Sequence, residues 1–524
     1  MEVLQIIVFL LMCSVALGWV ARHFAVPYPI TLVLGGCVLG FIPGLPQVPF
    51  DPEVIMALVL PPILYQAALM TSWRDFKAQI RSIGLLAIGL VIVTTLAVGA
   101  SLKLLVPECP WAVAFVLGAI VSPPDAVAAT AILSHLNVPR RVVTILEGES
   151  LVNDASGLVL YKFAVAAVMT GAFSLFDVGV QFTVLAVGGV AVGGLLSMLF
   201  VAIHRRLGDT LIEVLTLLSV PYVAYIVAET LHVSGVLAVV TAGMVRGRYS
   251  PRIVSPRTRI IGRSAWMLLV FLLNSVVFML IGLQLSGIVD RLGQETALEL
   301  AVAGALVSSV AIIVRFAWIY PAAGLSRLIG EARHRPEQAQ SSAELFIMSW
   351  CGMRGIVSLV AALALPLALP GGESFPYRDL IIFLTFVVIA TTLVLQGLSL
   401  PVLIRTLKVG HDSSQLDEAH QARVMLEQAA NAAIERYAAE HALPPSVLVR
   451  VRAEFGAGPV AGAGEADQAG HAAASDEVQA LGRMRQAVLR ARREELIRIW
   501  RRNLISDEVL HDLEEDLDYR ESYR

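Results

Sequence analysis

The chain has 524 residues, 57% of them hydrophobic and 15% charged, with a formal net charge of -3. That composition is too apolar for a water-soluble globule and too long for one core, so the chain reads as an all-α polytopic membrane protein. The near-neutral balance argues for no nucleic-acid partner, and Cys13, Cys37, Cys109 and Cys351 stand apart without CxxC spacing, supporting neither a zinc site nor a disulfide framework.

From the N-terminus, Met1–Val20 lacks a basic n-region and an A-x-A-like cleavage site, and is read as a first span, not a secretory signal. Apolar segments of bilayer length, or slightly short of it, then follow at Pro29–Ile42, Val54–Met70, Ile83–Val106, Trp111–Leu133, Val142–Thr170, Val178–Ile203 and Leu211–Glu229. Val233–Val245, Ala265–Leu285, Ala297–Leu325, Leu345–Leu369 and Leu380–Leu407 bring the expected count to thirteen, the second and ninth being short.

Basic residues alternate with this count as the positive-inside rule requires. With the N-terminus outside, the cytoplasmic loops receive Arg22, then Arg74, Lys77 and Arg81, then Arg140 and Arg141, then Arg205 and Arg206. Arg246, Arg248, Arg252, Arg257, Arg259 and Arg263 follow, and finally Arg327, Arg333 and Arg335; the opposite side takes Lys103, Arg291 and Arg378. An odd count places the C-terminus in the cytoplasm.

The transmembrane domain is expected to end at Leu407, with residues 408–524 forming a helical cytoplasmic tail. Gln415–Leu443 and Asp476–Ser506 have helical composition, a Gly/Ala-rich linker spans 456–475, and Asp507–Glu521 is acidic. The basic run Arg490, Arg492, Arg493, Arg498, Arg501 and Arg502 could meet anionic lipid, and the acidic end could act as a gate. The plainer expectation is solvated amphipathic helices packing on each other.

Inside the membrane the fifth span carries Ser122-Pro123-Pro124-Asp125. Tandem prolines remove two backbone donors and clash with the preceding turn, so a broken helix is expected, with Asp125 at the start of the second half where the helix dipole favours a carboxylate. Broken backbone at this depth is tolerated only where it lines a cavity or is buried in protein. The twelfth span carries Gly352-Met353-Arg354-Gly355, an arginine bracketed by glycines that permit close backbone crossing. The two spans run in opposite directions, as inverted repeats with two broken crossing helices would.

The sixth span carries Glu147, Glu149, Ser150, Asn153 and Asp154. A charge at the bilayer centre costs roughly 2.5–3.5 kcal/mol even on a lenient scale, so such a cluster needs a function to repay it. Hard oxygen donors suit small hard cations. The expected arrangement pairs Glu149 with Arg354 and leaves Asp154 to hold a proton or a cation, with Ser150, Asn153 and Asp125 nearby. Lys162 and Arg315 are expected either to serve the site or to snorkel to an interface. Glycine is never followed by lysine, so no Walker A motif supports an ATP-driven pump, and no cofactor is expected.

Ser122-Pro123-Pro124-Asp125-Ala126-Val127-Ala128, Glu147-Gly148-Glu149-Ser150-Leu151-Val152-Asn153-Asp154 and Gly352-Met353-Arg354-Gly355 together resemble the monovalent cation:proton antiporter-1 family, the bacterial and eukaryotic sodium/proton exchangers. The resemblance covers roughly residues 1–407. It implies a thirteen-span fold with a six-helix core and a dimerisation bundle, a homodimer in the bacterial plasma membrane, and exchange of cytoplasmic sodium for external protons by alternating access. Asp154 looks like the ion- and proton-binding carboxylate, Ser150 a further ligand, Glu149 the structural partner of Arg354, and Asp125 the acid of the unwound segment. Asn153 beside Asp154 implies one-for-one, electroneutral exchange. The family's usual Thr-Asp-Pro is Pro124-Asp125-Ala126 here, so a ligand from that side is a carbonyl or Ser122. Potassium/proton exchange, with lithium also open as a cargo, is the first alternative; a cation channel and a non-transporting membrane sensor are alternatives of other classes.

Overall fold

The computed structural model describes residues 2–24, 26–42, 52–133, 136, 138–171, 175–291, 297–332, 340–409, 414–441, 445–455 and 473–522. The Gly/Ala-rich stretch 456–472 therefore lies outside the described residues, whereas 473–475 open a helix. Among the described residues the chain is helical, apart from turns, short extended segments and an isolated bridge between Ala368 and Ser374.

The first elements are α1 (Glu2–His23), α2 (Tyr28–Gly40), α3 (Pro52–Met70), α4 (Trp73–Ala78), α5 (Ile80–Gly84), a π-helical segment Leu85–Leu90 and α6 (Val91–Leu105). The fifth expected span is two helices, α7 (Trp111–Val121) and α8 (Ala126–Leu133), and the sixth is one long helix, α9 (Arg140–Thr170). Then come α10 (Leu175–His204), α11 (Thr210–Thr230), α12 (Gly235–Ile253), α13 (Pro256–Arg291) and α14 (Ala297–Ala332). The twelfth expected span is also divided, into α15 (Ser342–Trp350) and α16 (Ile356–Leu363), and the last comprises α17 (Arg378–Thr391), a π-helical segment Thr392–Gln396 and α18 (Gly397–Leu407). Four helices complete the chain: α19 (Ser414–Glu440), α20 (Pro445–Phe455), α21 (Ala473–Arg501) and α22 (Asp507–Ser522).

Eight helical runs among the described residues are long and apolar enough to cross a membrane. Val8–His23, Tyr28–Gly40 and Trp111–Val121 are apolar but shorter. Of the thirteen expected spans, the fifth and twelfth contain no helix of full length because each is broken at its middle, the first and second are shorter helices, and the ninth, α12, is not among the eight. Burial separates lipid-facing from core helices: 22% of the apolar window in 179–204 is buried against 67% in 378–407, so α10 turns most of its surface outward.

Two compact units divide the chain. The first comprises 1–207, 215–250 and 265–411; the second joins 208–214 and 251–264 to 412–524. The second therefore begins beyond the expected boundary at 407 and also takes in two short segments from earlier in the chain. Its core is formed by Leu426, Ile434, Val488, Leu496, Leu513 and Leu517 among others, the amphipathic packing of tail helices expected from composition.

Close helix crossings in the first unit rest on glycine. A Cβ on Gly282 of α13 would meet the backbone of Val33 and Cys37 on α2, and one on Gly36 would meet Met279 of α13. Gly118 of α7 presses in the same way on Thr95 of α6. Gly282→Val is accordingly expected to push α2 and α13 apart at a cost of about 1–3 kcal/mol; the check is the midpoint of thermal unfolding in detergent, which should fall.

Candidate functional site

The centre of the first unit is the place where two non-helical segments, 122–125 and 351–355, cross. Pro123 and Pro124 have no N–H to offer, and α7 stops at Val121. The next donor, Asp125 N–H, bonds outside its own helix, to Met353 O at 2.7 Å. Two carbonyls at the break are also taken: Arg354 Nη1 donates to Ser122 O at 2.9 Å, and Asn153 Nδ2 donates to Pro124 O at 2.8 Å. On the partner segment the N–H of Arg354 donates to Thr392 Oγ1 at 3.1 Å, and that hydroxyl donates on to Val388 O at 2.7 Å. The two breaks partner each other, with Asn153 and Thr392 completing the set, the condition for non-helical backbone at membrane depth.

Asp125 caps the second half-helix, its Oδ1 accepting from Val127 N–H at 2.8 Å. Its other oxygen lies over Gly355, where a Cβ would collide with the carboxylate, so glycine is required there by space. Gly355 itself is extended, with φ -136°.

Asp154 of α9 faces the same place. With Asp125, Ser150, Pro123, Pro124, Gly355 and Ser358 it lines a cavity of about 50 Å³ closed on another side by apolar residues of α3, from Ile55 to Leu64. One water needs roughly 10–15 Å³, so the space suits a few waters or a partly dehydrated ion. Among the described residues no three His, Cys, Asp or Glu side chains gather. A cation held here would take its remaining ligands from hydroxyls and carbonyls, the donors hard monovalent ions use.

The other predicted residues divide. Asn153, fully buried, spends its amide on the broken helix and does not line the cavity; its Oδ1 has no hydrogen-bond partner among the described residues. Ser122 turns its hydroxyl to Ala119 O at 3.0 Å and is likewise outside the lining, so its part is to accept Arg354 through its carbonyl.

The expected Glu149–Arg354 ion pair is not formed. Glu149 is held bidentately by Arg315 of α14, Nη1 to Oε1 at 2.5 Å and Nη2 to Oε2 at 2.8 Å, both side chains 1% exposed. Arg315 Nε also donates to Met348 O at 3.1 Å, pinning the end of α15, and Gly352 leaves the room for its stem to pass. The reason is geometric: Arg354 sits in a non-helical segment and its guanidinium donates to the Ser122 carbonyl, whereas Arg315 projects from an unbroken helix. A signal for Arg315 lay in the sequence. It stands ten residues before the expected span end at Leu325, about 15 Å along a helix, farther than its side chain can snorkel. Lys162 keeps an exposed head, 3.9 Å from Glu229, and is remote from this cluster.

The comparisons with known proteins agree with this geometry. A family model described as sodium/hydrogen exchanger, transmembrane, matches residues 7–406. The chain belongs to the sodium/hydrogen exchanger family. Relatives include an uncharacterized Na+/H+ exchanger of Mycobacterium tuberculosis, 33% identical over 521 residues, covering 98% of this chain and 95% of the relative. A sodium, potassium, lithium and rubidium/H+ antiporter of Bacillus pumilus is 34% identical over 411 residues, covering 76% of this chain and 60% of that protein. Among solved structures, the sodium proton antiporter MjNhaP1 of Methanocaldococcus jannaschii shares the fold, with a TM-score of 0.60 at 20% identity over 78% of this chain and 99% of that one. The exchanger family is one of transporters, and this member is a multi-pass membrane protein.

Two substitutions separate the roles of the buried arginines. Arg315→Met strands Glu149 and is expected to cost roughly 3–5 kcal/mol, whereas Arg354→Ala leaves the Glu149–Arg315 pair intact and should cost about 1–3 kcal/mol. Thermal melts of the purified proteins check the order, which equal losses would refute. Thr392→Val orphans the Arg354 N–H inside the protein, at about 1–3 kcal/mol; faster hydrogen exchange at 351–355, restored in Thr392→Ser, is the expected reading.

Proposed function

We propose that this exchanger is an electroneutral Na+/H+ antiporter in which a sodium ion and a proton compete for the cavity shared by Asp125 and Asp154. One observation carries the reading: carboxylates from two separate elements face a single buried space of about 50 Å³, beside a helix interrupted by paired prolines. Two bare carboxylates facing so small a space repel, and either a cation or a proton relieves the repulsion. The occupant that relieves it lets the core move across the barrier; the empty, doubly charged core does not move.

In this mechanism Asp154 exchanges the proton and Ser150 contributes an oxygen. Asp125 supplies the second charge while capping α8, and Asn153 and Arg354 hold the unwound segment rather than the ion. Arg315 neutralises Glu149, so that carboxylate stays out of the exchange. Replacing one Na+ by one H+ leaves the net charge of the site unchanged, which supports one-for-one stoichiometry. The N-terminus lies outside and the tail in the cytoplasm, following the Arg and Lys alternation. A homodimer in the bacterial plasma membrane serving pH homeostasis completes the proposal.

A wider cation range is the second reading, favoured by the name of the Bacillus pumilus relative, which includes potassium, lithium and rubidium. Both readings are tested by pH-gradient dissipation in proteoliposomes on adding sodium, potassium or lithium. Sodium-driven dissipation in wild type and at least a roughly hundredfold loss in Asp154→Asn are expected, on the basis that the variant cannot release a proton. Equal flux in both proteins would refute the shared-site mechanism, and equal rates with all three cations would favour the second reading.

A further inference from the structure

One hydroxyl in the cavity is uncommitted. Other hydroxyls near the crossing return their proton to a carbonyl of the preceding turn: Ser122 to Ala119 O at 3.0 Å, Ser156 to Val152 O at 3.3 Å, Ser349 to Leu345 O at 2.7 Å and Thr392 to Val388 O at 2.7 Å. Such a bond is how a serine or threonine in an apolar interior satisfies its donor. Ser358 of α16 makes none. It is 2% exposed, and its Oγ has no hydrogen-bond partner among the described residues. Of the buried side-chain polar atoms in that condition among the described residues, it is the one that lines the cavity of Asp125 and Asp154.

The start of α16 explains why. Gly355 is the N-cap and Ile356 the first helical residue, so the carbonyls three and four places before Ser358 belong to the cap and to Arg354 in the non-helical segment. No helical turn precedes the hydroxyl to take its proton. One turn back, Gly355 lies against the Asp125 carboxylate. Residues three apart share a helix face, so Ser358 stands on the side of α16 that Asp125 covers. A buried hydroxyl without a partner is costly, and an occupant of the cavity that binds it removes the cost.

We propose that Ser358 is a ligand of the transported cation and a determinant of which cation the cavity accepts. A proton bonds to one carboxylate oxygen and asks nothing of a third group. A partly dehydrated monovalent cation needs several oxygens at once, and hard neutral oxygens replace the water it has lost. Ser358 offers one from a third element, beside Asp125, which caps α8, and Ser150 and Asp154 of α9. In a space of about 50 Å³ the same side chain also sets how large an ion fits. The proposal rests on the exchange reading for the identity of the occupant.

The test uses the full-length chain in proteoliposomes at fixed pH, with flux measured against sodium, lithium and potassium concentration. Ser358→Ala should raise the sodium KM at least about tenfold, the scale of one polar bond to a charge, with most of the loss in KM and not in kcat. Ser358→Cys, close in size but presenting a soft sulfur, should do the same, which separates a ligand from a packing role. Ser358→Thr keeps the hydroxyl and adds a methyl group to the space. It should retain sodium exchange and raise the KM of the largest cation carried about tenfold relative to the smallest. Unchanged KM values in both Ser358→Ala and Ser358→Cys would overturn the proposal.

Melting in detergent, with sodium exchanged for choline at constant ionic strength, reads binding without transport. Sodium should raise the wild-type midpoint and leave that of Ser358→Ala nearly unmoved at the same concentration. In choline the alanine variant should melt no lower than wild type, because it removes a hydroxyl that the protein itself does not bond. A lower midpoint there would overturn the proposal, since the hydroxyl would then be holding the fold. Absence of sodium flux in wild type, with a sodium-dependent midpoint that Ser358→Ala loses, would count against the exchange reading and leave the ligand standing.

Discussion

One backbone hydrogen bond, from Asp125 N–H to Met353 O, joins two helices that are each broken at the level of the other. In hydrocarbon no water is available to satisfy a freed amide or carbonyl, so neither break could exist alone. Around that bond the Ser122 and Pro124 carbonyls are claimed by Arg354 and Asn153, and the Arg354 amide by Thr392. The same crossing brings the Asp125 carboxylate over Gly355 and into the cavity with Asp154. Site and scaffold are thus one set of interactions: what keeps the broken backbone satisfied also sets where the two carboxylates stand.

Charge is distributed so that the groups which bind and the groups which hold are separated. The Glu149–Arg315 pair is bidentate, buried and further bonded to Met348 O, an arrangement in which desolvation is offset by good geometry. Arg354 contributes donors to carbonyls instead of neutralising a carboxylate directly. Asp125 and Asp154 are then the carboxylates that meet in the cavity. In the second unit Arg259 and Arg493 hold the buried carboxylates Glu514 and Asp518 between them.

Much of the membrane part was legible because hydropathy and charge alternation are local properties. The segments expected from Val54 to Leu407 recur as helices, two of them divided, with ends that differ by up to nine residues; Val142–Thr170, for example, is Arg140–Thr170 in α9. Both breaks were visible as Pro123-Pro124 and as the glycines flanking Arg354. Tandem prolines alone, however, do not make a break: Pro61 and Pro62 lie inside the continuous helix α3. What distinguishes Pro123-Pro124 is an acceptor from 228 residues away for the amide that follows, and no local pattern announces it. The π-helical segments at Leu85–Leu90 and Thr392–Gln396 were equally silent, since they depend on partners such as Trp318, whose indole donates to Leu85 O at 3.0 Å.

The amino-acid sequence by itself determined that this chain lives in a membrane, which helices interrupt, and which carboxylates are too costly to be idle, because each of these follows from the energetics of single residues and short segments in hydrocarbon. Tertiary structure alone decided who partners whom. Glu149 could have met either buried arginine, and the choice of Arg315 came from a helix packed beside it 166 residues later in the chain. Asn153, adjacent to the site carboxylate in sequence, was turned by the same packing toward Pro124 and away from the cavity. The acidic end, readable only as a charged run, acquired its meaning from Arg259, because an ion pair is a property of two positions in space and the sequence supplies only one at a time.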